Sequence, residues 1–485
     1  MRKTVLATAI AAALTLGAAD ASAQTKGAAT KADVQAVQAQ LQALVERMNS
    51  LEAANATLKS QNEELKALAD RREAEMDYLK QQTRDLRADG ANAANDLSKV
   101  KGADWATRIK FKGDLRMRND NITQERVVKV TDTTADVDDA ADRNRTRLRA
   151  RFGFDATVTD NVKASFQLAS GSDNDPRSTN QTLTNDATKK SIWLDQAYID
   201  WRMPFLSGSD LLLGKMRYPF WRPGQSYFYD GDVNPEGVAV TLDRGMLFGS
   251  LYGFAMWENG PTNPAQVTED TFMVGLQAGL KFSVFGGETR AALHYYDVTG
   301  AQHFNPFALG SANGNTTVAH VVNGTSTQVL LYDYNVLMAS GEMGLNVGAL
   351  PLSLWADYAQ NMASNVEDGD TAYAVGFMLG KASNAKTWEA GLSYQSIGKD
   401  ALFAQWIDSD FGDGVADADG WVLKGGYAPA KNVTINGTYF VNSRNVCGPV
   451  TSATDPTPTN RQCLAGGKEY DLNYDRLEID FNYKF

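Results

Sequence analysis

Only three histidines and two cysteines occur in 485 residues. That is too few soft ligands for a zinc framework and too few thiols for a disulfide-built scaffold. Basic residues are outnumbered, 47 Lys+Arg against 58 Asp+Glu, for a net charge of −11. Such a balance excludes the basic field of a nucleic-acid binder. Beyond the N-terminus no apolar run approaches the ~18 residues of a helical membrane span, an absence that leaves membrane-crossing strands open. The chain carries no Gly-x-Ser-x-Gly, no phosphate-cradling Gly-rich loop with Lys, no haem-attaching Cys pair and no His-Glu-x-x-His. The expectation is therefore a non-enzyme with no cofactor and no metal site. A hydrolase embedded in a barrel wall would have His294 as its one inward-facing histidine.

What is present starts with an address. Arg2-Lys3, the apolar stretch Thr4 to Ala19 and the exit Ala-Ser-Ala at 21–23 have the charge, length and small-residue pattern of a secretory signal peptide, expected over 1–23. Export places Cys447 and Cys463 in an oxidising compartment, where they are expected to pair, two free thiols being the alternative. A loop of that size contributes about 3 kcal/mol.

From Val34 to Leu86 a heptad fits. The a series is Val34, Leu41, Met48, Asn55, Asn62, Ala69, Met76 and Thr83; the d series is Val37, Leu44, Leu51, Leu58, Leu65, Arg72, Leu79 and Leu86. A seam of this kind predicts an α-helical coiled coil over 31–90, followed by a polar linker over 91–104. Asn at successive a positions argues for two strands. The barrel that follows argues for three, hence an expected homotrimer whose stalk reaches toward peptidoglycan.

From 105 to 485 the period changes to two. In RIKFKGDLRMR (108–118), Ile109, Phe111, Leu115 and Met117 fall on one face, with Lys110, Lys112, Asp114, Arg116 and Arg118 on the other. The closing RLEIDFNYKF sets Leu477, Ile479, Phe481, Tyr483 and Phe485 against Arg476, Glu478, Asp480, Asn482 and Lys484. A dry face alternating with a wet one fits a soluble sandwich or a membrane barrel. Connection lengths separate the two. Short turns at 159–161, 243–245, 286–287, 349–351 and 428–432 alternate with long ones at 119–143, 172–190, 219–236, 300–337, 398–419 and 443–472. Short periplasmic turns and long outer loops mark an outer-membrane barrel. The prediction is an all-β transmembrane barrel of about 16 antiparallel strands, embedded in outer-membrane lipid, with Phe481, Tyr483 and Phe485 on its closing strand. Aromatic residues near strand ends, among them Trp105, Trp193, Trp201, Phe205, Tyr218, Trp257, Phe282, Trp388 and Trp421, are candidates for the lipid-headgroup girdles.

Charge is unevenly placed. Residues 105–222 sum to +4 and residues 223–485 to −15. Arg116, Arg118, Arg145, Arg147, Arg149 and Arg151, followed by Lys215 and Arg217, are expected to form a basic wall on one side of a lumen, or to be neutralised by loop carboxylates, and both can hold. The loop YPFWRPGQSYFYDGDVNPEG (218–237) brings Asp230, Asp232 and Glu236. Folded inward, it would narrow the channel and set a transverse field against that wall; a cap over the barrel is the alternative. The aspartates of 398–419 are expected to form a solvated acidic loop.

The stretches RIKFKGDLRMRND, RNRTRLRARFGFDATVTDNVKASFQLASG, DPRSTNQTL, LDQAYIDW and LLLGKMRYPF resemble the Putative porin family of Gram-negative bacteria, whose members join a periplasmic coiled coil to an outer-membrane barrel. The resemblance implies a passive channel for small hydrophilic solutes or ions, commonly trimeric. It also touches the phosphate-selective porins, with which the acidic second half disagrees. A structural tether between outer membrane and cell wall is the rival reading.

Overall fold

The computed structural model describes residues 31–99, 107–131, 134–172, 175–184, 186–258, 270–302, 304–306, 311–322, 325–364, 366, 368–448, 463–464 and 468–485. The signal segment 1–23 and Trp105 lie outside them, as do the side chains of Cys447 and Cys463 and most of the chain between. The chain divides into two compact units, one up to Ala103 and one from Asp104.

The first unit is one helix, α1 (Lys31–Lys99). It does not stop at Gly90 but continues through nine residues of the segment expected to be linker. The run Ala91–Lys99 holds three alanines and no proline, and a single glycine costs a helix only about 1 kcal/mol. Along α1 the heptad residues Leu44, Met48, Leu51, Leu58, Leu65, Met76, Leu79 and Leu86 are all about half exposed or more.

The second unit begins with β1 (Ile109–Thr131), β2 (Thr134–Thr159), β3 (Val162–Ser170), a two-residue β4 (Gln181–Thr182), β5 (Ile192–Arg202), β6 (Ser209–Lys215) and β7 (Glu236–Arg244). It continues through β8 (Leu247–Trp257), β9 (Thr271–Val284), β10 (Gly287–Thr299), the loop hairpin β11 (Thr316–Val322) and β12 (Thr325–Leu330), β13 (Tyr334–Val347) and β14 (Leu350–Asn361). The last are β15 (Thr371–Gly380), β16 (Thr387–Ile397), β17 (Ala418–Ala430), β18 (Val433–Gly448), a short β19 (Cys463–Leu464) and β20 (Lys468–Lys484).

Leaving out β4, β11, β12 and β19, these strands form a closed antiparallel barrel of 16 strands. Closure is made by β1 against β20, in register from Asp114 opposite Lys484 to Val127 opposite Asp471. The terminal Phe485 completes the seam by exchanging two 3.0 Å backbone hydrogen bonds with Gly113. Exposure alternates along β9 from Thr271 to Leu280, where the exposed members include Phe272, Val274, Leu276 and Leu280. Phe111, Leu115, Met117, Phe481, Tyr483 and Phe485 share that exposed outer face.

Two expectations about connections change. The span 119–143 is not a loop: β1 and β2 run on past the membrane-length core as one paired ribbon, with a bulge between Ile122 and Gln124. Tyr218 and Trp257 leave the girdle and turn inward. Tyr218 packs its ring against Phe220, Tyr229 and Trp406, and Trp257 packs against Phe304.

Candidate functional site

A barrel of this strand number is too wide for its own inward side chains to fill. Here two connections enter it. The β6–β7 segment, 216–235, crosses to the far wall strand by strand. Trp221 exchanges two 2.8 Å hydrogen bonds with the Gln277 amide on β9. The Gly224 N–H donates to Glu342 on β13 (3.0 Å), and the Tyr227 N–H donates to Gln395 on β16 (3.2 Å). Lys424 on β17 donates to Gln225 and lies over the Tyr227 ring. Gly224 is required by this approach: its φ is +31°, and a Cβ there would sit 2.6 Å from Trp355 Cδ1.

The β16–β17 segment, 398–417, packs alongside. Leu402, Phe403, Trp406, Ile407 and Phe411 are buried with Phe220, Phe228 and Tyr229 in one aromatic core against β8–β10 and β13–β18. At about 1.5–3 kcal/mol per buried large apolar side chain, this core holds both segments inside the lumen. His294 belongs to it: its Nε2 lies 2.7 Å from the Tyr252 hydroxyl and its ring 4.5 Å from that of Phe220. The expected solvated loop over 398–419 is thus corrected. Its apolar residues outweigh its aspartates and draw it in.

The opposite half of the lumen is charged. Strand register sets Arg116 against Arg149 and Arg118 against Arg147. Like charges opposite each other are destabilising, and carboxylates relieve them. Asp114 takes Arg149 (2.9 Å) and Arg151 (2.7 Å). The fully buried Asp120 takes Arg145 (2.8 Å) and Arg476 (3.0 Å), with Arg147 at 3.7 Å. Arg118 is bound bidentately by Asp480 at 2.6 and 2.8 Å and by Glu478 at 2.6 Å.

The six arginines thus lie together on β1 and β2 within a network of carboxylates. Lys215 stands apart from it, giving its ammonium to Glu236 (2.9 Å) and the Asn234 carbonyl (3.1 Å). Arg217 is exposed and makes no ion pair among the described residues. Glu236 is likewise not a constriction acid: it is the first residue of β7, with a side chain 63% exposed. The β20 residues Arg476, Glu478 and Asp480 complete the network. Their inward parity was readable, but their opposition to β1 follows only from closure.

The two segments meet this wall through their aspartates and each other. Asp230 donates its N–H to the Trp406 carbonyl (2.8 Å) and accepts from the Ser409 N–H (2.9 Å). Asp408 donates its N–H to the Tyr227 carbonyl (3.2 Å). Asp232 faces Arg151 at 3.4 Å and Arg149 at 3.8 Å, and accepts from Thr179. Asp410 pairs with Arg118 (2.8 Å) and Arg476 (2.9 Å). Arg177, from the β3–β4 connection, donates to the Gly414 carbonyl (2.7 Å) and Asn313 (3.2 Å). Arg116, Arg149, Arg151 and Arg177 thus face Asp230, Asp232, Asp408 and Asp410 around a cavity of about 290 Å³.

Burial raises the Asp230 carboxyl well above its ordinary value, reinforced by the Asp408 charge. Burial, then Asp410, pushes Asp408 up to about 6. Burial would also raise Asp232 and Asp410. Arg149, Arg116 and Arg151 outweigh it at Asp232, and Arg476 and Arg118 at Asp410, so both stay below the usual range.

A closed antiparallel barrel with an apolar exterior, a charged half to its interior and alternating short and long connections is a transmembrane barrel of the outer-membrane type. The chain belongs to the Putative porin family, whose model matches residues 3–317 and 301–485, and it is an outer-membrane porin. No curated protein sequence matches it significantly. Among solved structures it is similar to OprB of Pseudomonas putida, with 12% identity, 80% of this chain and 97% of that one covered, and a TM-score of 0.48. It is also similar to a loop-deletion mutant of OmpT of Vibrio cholerae, with 13% identity, coverage of 78% and 99%, and a TM-score of 0.39. A triple mutant of the Rhodopseudomonas blastica porin gives 12% identity, coverage of 78% and 100%, and a TM-score of 0.37. At that distance the likenesses carry no functional weight.

Proposed function

We propose that small hydrophilic solutes and ions pass this porin passively along the charged half of its lumen, between the arginines of β1–β2 and the aspartates of segments 216–235 and 398–417. The observation that carries the reading is the segregation of charge. Four arginines and four aspartates share one cavity, the aspartates of that set all on the two inserted segments and three of the arginines on strands. In a water-poor constriction such an arrangement gives a field across the path, which orients dipoles and discriminates by charge. The other half is filled by the aromatic core. Planar-bilayer recording tests the reading: stepwise conductance is expected, with a reversal potential that follows charge changes at Arg149 and Arg151. A conducting channel indifferent to those changes overturns it.

Helix α1 is assigned to assembly. Its apolar seam, with Leu58 55% and Leu65 62% exposed, needs partner helices, and copies of itself match it in spacing. The assignment is a periplasmic coiled coil, trimeric with the barrels, extending toward peptidoglycan. A chain lacking residues 31–90 is expected to conduct but to lose chemically cross-linked trimer. Full retention of trimer would make the helix a tether instead.

A further inference from the structure

We infer that the constriction is a binding subsite for small zwitterions of the amino-acid type, an inference that rests on the pathway proposed above and names its solute class. The argument starts from which charges remain uncommitted once internal pairs are removed. Asp232 and Asp410 are each held by two arginines, and Arg149 and Arg151 by Asp114. Arg177 spends its guanidinium on Asp175, a carbonyl and Asn313.

On the basic side this leaves Arg116. Its closest carboxylate is Asp480 at 3.9 Å, already bound bidentately by Arg118. Its Nη2 donates to the Asn180 amide oxygen (2.7 Å), and its Nε is buried with no hydrogen-bond partner. On the acidic side it leaves Asp230 and Asp408. Among the described residues they accept only backbone N–H groups, from Asp232, Ser409, Asp410 and Phe411, and no guanidinium or ammonium lies within ion-pairing distance. Lys424, the cation whose charge acts on Asp408, is turned to Gln225 and the Tyr227 ring.

An unmatched guanidinium and an unmatched carboxylate pair therefore line one cavity. At the acidic pole what is missing is a cation, and at the basic pole a carboxylate of its own, so a ligand that carries both charges supplies both. An anion would satisfy Arg116 but face two carboxylates; a cation would do the reverse. Among the described residues no group of three or more His, Cys, Asp or Glu is placed to hold a metal ion. The cavity volume, about 290 Å³, lies at the small end of the range for ligand pockets, roughly 300–1,000 Å³. It has room for a molecule the size of a free amino acid.

The test uses the full-length protein in planar bilayers at low salt with three probes that differ by one charged group: L-alanine, propionate, which lacks its ammonium, and ethylammonium, which lacks its carboxylate. L-alanine is expected to block ion current saturably, with the other two at least about tenfold weaker. Arg116→Gln and, separately, Asp230→Asn/Asp408→Asn are each expected to weaken the alanine block about tenfold or more. Block by propionate or ethylammonium equal to that by L-alanine overturns the inference, as does a conducting channel that no probe blocks. The comparison of probes on the unmodified chain does not depend on any variant folding. Failure of the pathway reading shows elsewhere, in a reversal potential that ignores Arg149 and Arg151.

Discussion

Removing charge from the arginine wall has a calculable effect on ion selection. The double variant Arg149→Gln/Arg151→Gln takes the cavity lining from four arginines against four aspartates to an excess of two negative charges. Both side chains act on the same acids, Asp114 and Asp232, so neutralising them uncovers those carboxylates toward the path. A unit charge roughly 8 Å from a passing ion, at an effective dielectric near 20, is worth about 2 kcal/mol. A Debye length of about 10 Å in 0.1 M salt reduces this to about 1 kcal/mol. Two charges then favour a cation by about 2 kcal/mol and disfavour an anion by as much. At 1.4 kcal/mol per factor of ten, the two effects together raise the permeability ratio of potassium to chloride by roughly several hundredfold. Across a tenfold KCl gradient, the reversal potential should move by tens of millivolts toward the cation limit of about 59 mV. Arg202→Gln is the control, since Arg202 is 65% exposed and pairs with Asp210. A double variant that conducts with its reversal potential within a few millivolts of the unmodified channel would refute the reasoning.

Asp408, raised to about 6 by burial and then by the Asp410 charge, is ionised at pH 7 and protonated at pH 5. The channel should therefore become more anion-selective as pH falls through 6, and Asp408→Asn should remove much of that response. Because its pKa is raised on folding, the stability it contributes is complete below pH ~4 and lost as pH rises through about 6, so the loop clamp should resist protease better at pH 5 than at pH 7. Gly224→Val forces a side chain into Trp355 and should free segment 216–235 from the far wall; larger single-channel conductance is the readout, and an unchanged value contradicts the packing. Asp120→Asn strips the carboxylate shared by Arg145, Arg147 and Arg476. It should lower barrel stability by about 3–5 kcal/mol, measured as an earlier unfolding midpoint in urea.

The closing strand shows how far the sequence reaches. RLEIDFNYKF displays its lipid face and its wet face without reference to anything else, and the wet face already contains Arg476, Glu478 and Asp480. Arg118, the partner of the two acids, stands 360 residues from Glu478, and only barrel closure joins them. The segments 218–237 and 398–419 show the limit. The first was readable as aromatic and acidic, with its destination open. The second was misjudged because its five aspartates (Asp408, Asp410, Asp413, Asp417 and Asp419) drew more weight than Leu402, Phe403, Trp406, Ile407 and Phe411. Lys215, Arg217 and Glu236 share the composition of the wall without its position.

Sequence alone determined the strand count, the sidedness of the barrel and the apolar seam of α1, because these follow from periods of two and seven imposed by local backbone geometry. Tertiary structure alone decided that half of the lumen is filled by aromatic packing and that the arginine wall is neutralised. It also decided that one guanidinium and two carboxylates stay unmatched around a small cavity. Those outcomes depend on which distant side chains closure brings within a few ångströms, where desolvation and pairing energies vary most steeply.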